Sequence, residues 1–400
     1  MRYFLTYILS SILFLTLCSA QKKFTFNQGS ISTDQFYEVL PFEYLMDKII
    51  IEAEVNGVRG RYIVDTGAMC IVFKDTANNH NYNVIRRINI EDANDRKKET
   101  EIVQVNKIRI GELEYYNIPA LYIEPFVGLL KCFDVDGMIG SNLLRFGAFK
   151  IDVKNEKLYL ADSYKDFNLQ KKQGGKLYVN KVQSSPFISL KMNGKKQNGV
   201  LIDTGSGGIY SFNENVAKQM QQKGLFNQPA YESNGTNSQG AWGLDSTDIQ
   251  TQLWRVNNLQ VANADFTNLL LRSDHASSRI GMELLENGEL VVDYPKKRFF
   301  FKPYKSVTEG LSVAGFGIDF ASINDSIRVN GLWSGTIAEQ QGISKGDVLV
   351  DIKGFDLRDA DLCQKFFLLK DLAFNKNELD FIFRRKGSDD EYSVVLQRLK

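Results

Sequence analysis

Short runs rich in Ile, Val, Tyr and Phe recur from about residue 35 to 305, some alternating with polar residues and some continuously apolar. Alternation at period two puts one face of a strand in a core and the other in water, so these runs predict strands rather than helices. Asn56-Gly57 and Asn193-Gly194 each separate two such runs, where a two-residue turn needs positive φ, and tight hairpins are expected there. One segment has helical spacing. Ser211-Phe212-Asn213-Glu214 has the form of a capping box, Val216, Ala217 and Met220 follow at helical intervals, and Gly224 is placed to end the helix. From about Leu311 the pattern changes. Gly315-Phe316-Gly317 opens one strand-like run and Val348 to Ile352 forms another, before a helical stretch from Asp361 to Asp371 and a closing strand from Glu391 to Leu396. The expected fold is mainly β, with a small α+β unit at 311–400.

The chain also repeats itself. Val55-Asn56-Gly57, Ile63-Val64-Asp65-Thr66-Gly67-Ala68 and Asp136-Gly137-Met138-Ile139-Gly140-Ser141-Asn142-Leu143-Leu144 occur in that order. Met192-Asn193-Gly194, Leu201-Ile202-Asp203-Thr204-Gly205-Ser206 and Arg279-Ile280-Gly281-Met282-Glu283-Leu284-Leu285 repeat it. Asp65 precedes Gly140 by 75 residues, and Asp203 precedes Gly281 by 78. Each copy closes with a strand pair, 148–152 with 157–160 and 290–294 with 298–301. Two related halves are therefore expected, 21–162 and 163–305, joined through residues 163–180.

Length and composition agree: 400 residues exceed what one core usually organises. A net charge of +1 gives no electrostatic case for nucleic acid. Residues 1–20 differ in kind. Arg2 precedes an apolar run, Tyr3 to Leu17, and Cys18-Ser19-Ala20 ends it as a signal peptidase site would, so cleavage before Gln21 and export to a periplasm or the outside are expected. Two alternatives stay open: an uncleaved membrane anchor, and a lipoprotein acylated at Cys18, which would place the cleaved product at a membrane. Export permits disulfides, and Cys70, Cys132 and Cys363 remain. Either Cys70 pairs with Cys132 or all three are free thiols. No Cys and His cluster has metal-ligand spacing, His80 and His275 are the only histidines, and neither a metal nor another cofactor is expected.

An apolar strand ending in Asp-Thr-Gly holds an acid rigidly, and the glycine lets the backbone turn sharply beside it. One such turn is most often only a turn. Two that face each other would place Asp65 and Asp203 close enough to retain one proton between them. The pair then serves as base and acid together, activating a water while hydrogen-bonding a carbonyl oxygen. Over residues 35–305 the sequence resembles the pepsin and retropepsin superfamily of aspartic proteases. The resemblance implies a bilobal fold, catalytic Asp65 and Asp203, support from Thr66, Gly67, Thr204, Gly205 and Ser206, and Ile139-Gly140 and Ile280-Gly281 packed under the acids. It further implies protein or peptide substrates and a single-chain monomer. Ala68 departs from the pepsin form. Ser206 is expected to bond the outer oxygen of Asp203 where Ala68 cannot do so for Asp65, making the two acids unequal. A flap is implied, with residues 235–243 and 92–101 as two open candidates. Residues 311–400 resemble a PDZ domain, which implies a peptide's terminal carboxylate on Phe316, Gly317 and Ile318.

Two rival readings compete with this one. Gly342-Ile343-Ser344-Lys345-Gly346 matches G-x-S-x-G, but a strand-like run follows it where a nucleophile elbow needs a helix. The other rival is an inactive two-lobed peptide-binding protein with a PDZ module.

Overall fold

A computed structural model describes residues 24–74, 82–91, 96–235, 239–240, 243–244, 248–304 and 315–399. The leader reading of residues 1–20, including the choice at Cys18, lies outside them. The described residues are mainly β, 51% strand against 14% helix. Five helices occur among the described residues: α1 (Ser141–Leu144), α2 (Glu214–Gln222), α3 (Met282–Leu285), α4 (Ile337–Gln340) and α5 (Leu362–Asn375).

Both Asn-Gly hairpins form. Lys48–Val55 pairs with Val58–Asp65 around Asn56 and Gly57, at φ 48 and 89, and Pro186–Met192 pairs with Lys195–Ile202 around Asn193 and Gly194, at φ 46 and 74. These left-handed values suit Asn and Gly and close the turn without splaying the strands. Each hairpin's inner strand then joins a sheet with the same order of partners. In the first half the order continues through Gly137–Gly140, Ile71–Phe73, Leu113–Ile123, Lys97–Ile110 and Asn83–Glu91. In the second half it continues through Arg279–Ile280, Tyr210–Asn213, Ala264–Asp274, Gln250–Val261 and Tyr231–Asn234. The repeat in sequence is a repeat in topology.

A six-stranded sheet joins the halves. Its central pair is Ala148–Asp152 antiparallel to Gly288–Asp293, flanked by Lys157–Ala161 and Tyr37–Pro41 on one side and Arg298–Pro303 and Gly175–Lys176 on the other. Asp152 and Asp293 end the two central strands in the same way. Each carboxylate accepts a backbone N–H three residues on, from Asn155 at 3.2 Å and Lys296 at 2.6 Å, which fixes both following turns. Phe149, Ile151, Leu290, Val292 and Phe299 from this sheet enter one apolar core shared by both halves. Burying each such side chain contributes about 1.5–3 kcal/mol.

Three local expectations need correction. The N-cap of α2 is Asn213, whose side chain accepts from the Asn215 N–H at 3.0 Å; Ser211 instead lies within the strand Tyr210–Asn213, where pairing with Arg279 takes precedence over a cap. Gly224 does follow the helix with φ 66. The stretch 163–180 is more ordered than a connection, with turns at Tyr164–Phe167 and Lys171–Gln173 and the strands Gly175–Lys176 and Tyr178–Val179. The disulfide is Cys132 with Cys363, not Cys70 with Cys132. Cys70 is buried under the first Asp-Thr-Gly turn, where its N–H donates to Asn142 Oδ1 at 2.7 Å and its Sγ accepts from Gly140 at 3.3 Å. Cys132 lies on the outward 3-10 turn Gly128–Phe133, which meets α5.

The C-terminal unit has its own core and a sheet in the order Ile318–Ile323, Ser326–Leu332, Val348–Ile352, Glu378–Arg384, Glu391–Gln397, with Phe355–Asp356 beside the third. Asp361 and Gln364 form a capping box at the start of α5. Ser344 lies in the turn before Val348–Ile352, its N–H donating to Asp347 at 3.0 Å, in no strand-to-helix elbow. The unit touches both halves. Trp333 packs with Leu253 and Leu270, the Ser334 N–H donates to the Glu232 carbonyl at 2.8 Å, and Lys370 pairs with Asp47 at 3.5 Å.

Candidate active site

The two Asp-Thr-Gly turns meet at the interface of the halves. Thr66 and Thr204 are fully buried and exchange bonds: each backbone N–H donates to the other's hydroxyl, at 3.0 and 3.1 Å. Each hydroxyl donates in turn to the carbonyl two residues before the other threonine, Thr66 to Ile202 and Thr204 to Val64, both at 2.7 Å. Four hydrogen bonds thus fix one turn against the other, and every buried donor and acceptor in the exchange is satisfied.

The acids follow from that lock. Asp65 ends Val58–Asp65, and its Oδ1 accepts from the N–H groups of Gly67 at 2.8 Å and Ala68 at 3.2 Å. Asp203 Oδ1 accepts from Gly205 at 3.0 Å. Each carboxylate lies against the opposite glycine. A Cβ on Gly67 would stand 2.7 Å from Asp203 Oδ1, and one on Gly205 would collide with the Asp65 carboxylate. Glycine is required at both positions because the acids approach the facing backbone this closely.

Underneath, Gly137–Gly140 runs parallel to Val58–Asp65, with Gly140 opposite Asp65, and Arg279–Ile280 runs parallel to Lys195–Ile202. Ser141 and Met282, which open α1 and α3, donate their N–H groups to the carbonyls of Ala68 and Ser206, both at 2.9 Å. Ile139-Gly140 and Ile280-Gly281 therefore support the two turns as expected. A side chain on either glycine would meet the backbone of the turn above it.

Electrostatics separate the acids. Burial, and then the charge of Asp203, push the Asp65 carboxyl up to about 7. Burial also raises Asp203, but the guanidinium of Arg279 and the ammonium of Lys48 oppose it. The surroundings of the two acids differ at Arg279, which opposes the rise at Asp203 alone, and the Ser206 hydroxyl is not the cause. The Ser206 hydroxyl donates to the Gly207 carbonyl at 3.3 Å and accepts from Arg279 Nε at 3.1 Å, so it is turned away from Asp203. Arg279 is itself held by Asp274 at 3.2 Å.

Arg279 and Lys48 escaped the sequence reading. Arg279 had a signal, since it stands where the first copy has Met138. Lys48 had none; it follows the turn at Met46 and Asp47, and its Nζ donates to the Asp47 carbonyl at 3.3 Å. Burial pushes that ammonium down, while Asp47, Asp65 and Asp203 hold it up. Asp47 reaches the second turn, within 3.3 Å of where a Cβ on Gly207 would lie.

The remaining predicted residues, Phe316, Gly317 and Ile318, are in the C-terminal unit. Phe316 and Ile318 are buried in its core, and the Gly317 carbonyl accepts from Trp333 at 3.1 Å. Of the first flap candidate, residues 92–95 lie outside the described residues, and 97–101 belong to the strand Lys97–Ile110, which pairs with Asn83–Glu91. The second candidate is described only at 235, 239–240 and 243, where Gln239–Gly240 pairs with Gly243–Leu244.

No curated protein matches the sequence. Among solved structures, a retropepsin-like aspartic protease from Rickettsia conorii is similar at 23% identity, over 33% of this chain and 94% of its own, with a TM-score of 0.23. Basic 7S globulin from soybean is similar at 12% identity, over 68% of this chain and 96% of its own, with a TM-score of 0.40. Residues 51–143, from the first hairpin into α1, match the family model for aspartyl protease.

Proposed function

We propose that the chain is an exported, two-lobed aspartic endopeptidase with Asp65 and Asp203 as its catalytic pair and a PDZ-like C-terminal unit. The observation that carries the reading is the reciprocal Thr66–Thr204 exchange, which brings each acid onto the opposite glycine. The aspartyl protease match over 51–143 supports the first lobe, and the matching strand order supports the second.

In this reading the pair holds one proton, because two carboxylates this close resist double ionisation. Arg279 favours the charge on Asp203, and the surroundings of Asp65 favour the proton there. Ionised Asp203 takes a proton from a water as its oxygen attacks the scissile carbonyl carbon, while Asp65 gives its proton to the carbonyl oxygen. The tetrahedral diol collapses as the C–N bond breaks, Asp203 giving its proton to the amine nitrogen and a diol hydroxyl returning one to Asp65. One water is consumed, with no covalent intermediate.

Residues 21–400 incubated with a mixed peptide library between pH 3 and 7 test this by mass spectrometry. Cleavage is expected from the wild type, with Asp65→Asn and Asp203→Asn each reduced by about 10³-fold, the scale of losing a positioned acid or base. Equal cleavage by wild type and variants, or none by wild type at any pH, contradicts it.

A further inference from the structure

On the PDZ-like reading, the peptide groove of the C-terminal unit lies between the strand Ile318–Ile323 and α5, both of which touch the first half. Among the described residues this strand pairs only with Ser326–Leu332, so its other edge is the place where an extended peptide would add. That place is taken. The 3-10 turn Gly128–Phe133 of the first half lies against both the strand and α5. Leu129 packs on the C-terminal core that contains Phe316 and Ile318. Phe133 meets the rings of Phe366 and Phe367 edge-on at 6.3 and 6.4 Å, and Lys131 pairs with Asp325 at 3.6 Å beyond the strand's end. Cys132, between them, is bonded to Cys363 in the first turn of α5.

We propose that this groove is an intramolecular site whose ligand is the chain's own Gly128–Phe133 turn, locked in place by the Cys132–Cys363 disulfide. A tethered segment competes at high effective concentration, and a covalent bond removes the competition altogether. The groove is therefore closed to outside peptides in the oxidised protein. A dithiol opens the lock by exchange: two thiols of the reductant become one disulfide, and Cys132 and Cys363 become two thiols. The turn then remains as a displaceable ligand, held by Leu129, Phe133 and Lys131. The unit acts as a clamp fastening both halves, and the carboxylate-binding role implied for Phe316, Gly317 and Ile318 gives way to a cis contact. The inference does not require hydrolysis, so it is read equally well on Asp203→Asn.

The test uses residues 21–400 and a fluorescein-labelled peptide spanning residues 126–134 with serine in place of its cysteine. Non-reducing peptide mapping should first recover Cys132 linked to Cys363; recovery as free thiols overturns the proposal. Fluorescence polarisation should then show no saturable binding to the oxidised wild type and saturable binding to Cys132→Ser/Leu129→Asp, at least tenfold tighter. Hydrogen exchange of strands 58–65 and 195–202 confirms that the variant is folded. Equal binding to both proteins, or none to a variant with native exchange in those strands, overturns it.

Discussion

At Thr66 and Thr204 a hydroxyl does what no apolar residue of the same shape can do. Thr204→Val keeps the volume but leaves the Thr66 N–H and Val64 carbonyl without partners, at about 1–3 kcal/mol for each buried group. Urea denaturation of Thr204→Val should show a loss of about 2–6 kcal/mol. At Arg279 the guanidinium holds Asp203 down, so Arg279→Met, copying Met138 of the first copy, should raise Asp203. The acid limb of the pH–rate profile then moves to higher pH, whereas Ser206→Ala, whose hydroxyl faces away from Asp203, leaves that limb in place. An unmoved limb in Arg279→Met contradicts the assignment. Asp65 also makes stability depend on pH. Burial and the charge of Asp203 push its carboxyl up to about 7 in the fold, against about 4 in an unfolded chain. Between those values the native state holds a proton that the unfolded state releases, so the contribution is complete at low pH and is lost as pH rises through 7. Urea midpoints should fall from pH 4 to 7.5 and fall less in Asp65→Asn. Some slope remains, because Glu283 is likewise raised to about 7 by burial. Identical slopes contradict this.

Among the elements, those set by local rules were legible in the sequence. Both Asn-Gly turns, the strand pairs of the joining sheet and the glycines under each acid are read from alternation and spacing, because backbone conformation there leaves few residue choices. What was not legible depends on distant packing. Ser211 and Glu214 satisfy the capping pattern, but strand pairing with Arg279 claims Ser211 first. Cys132 and Cys363 are 231 residues apart, and only the docking of α5 on the turn Gly128–Phe133 makes them neighbours. Proximity along the chain pointed to Cys70, which the fold buries beneath Asp65. The supporting glycines give a prediction at this scale. Gly281→Ala drives a Cβ into the backbone of Ser206 and Gly207, and such overpacking costs about 1–3 kcal/mol. A lowered melting temperature and a larger proportional loss of peptide cleavage should follow. Full stability and activity in Gly281→Ala would remove Ile280-Gly281 from the support of Asp203.

For the whole molecule, the central feature is that one chain supplies both halves of the site and then spans them with a third unit. The joining sheet and the threonine lock make the halves one rigid support, so no second copy is needed to bring the acids together. The C-terminal unit adds contacts to both halves, at Cys132 and Asp47 on one and at Glu232 and Leu253 on the other. In the proposed mechanism Asp65 and Asp203 work as one unit, and kcat/KM for Asp65→Asn, Asp203→Asn and the double variant on the best-cleaved peptide measures that directly. Groups that share one proton and one water are lost together, so each single variant should lose about as much as the double. Losses that multiply, or a single variant retaining most of the wild-type rate, would contradict a shared catalytic pair.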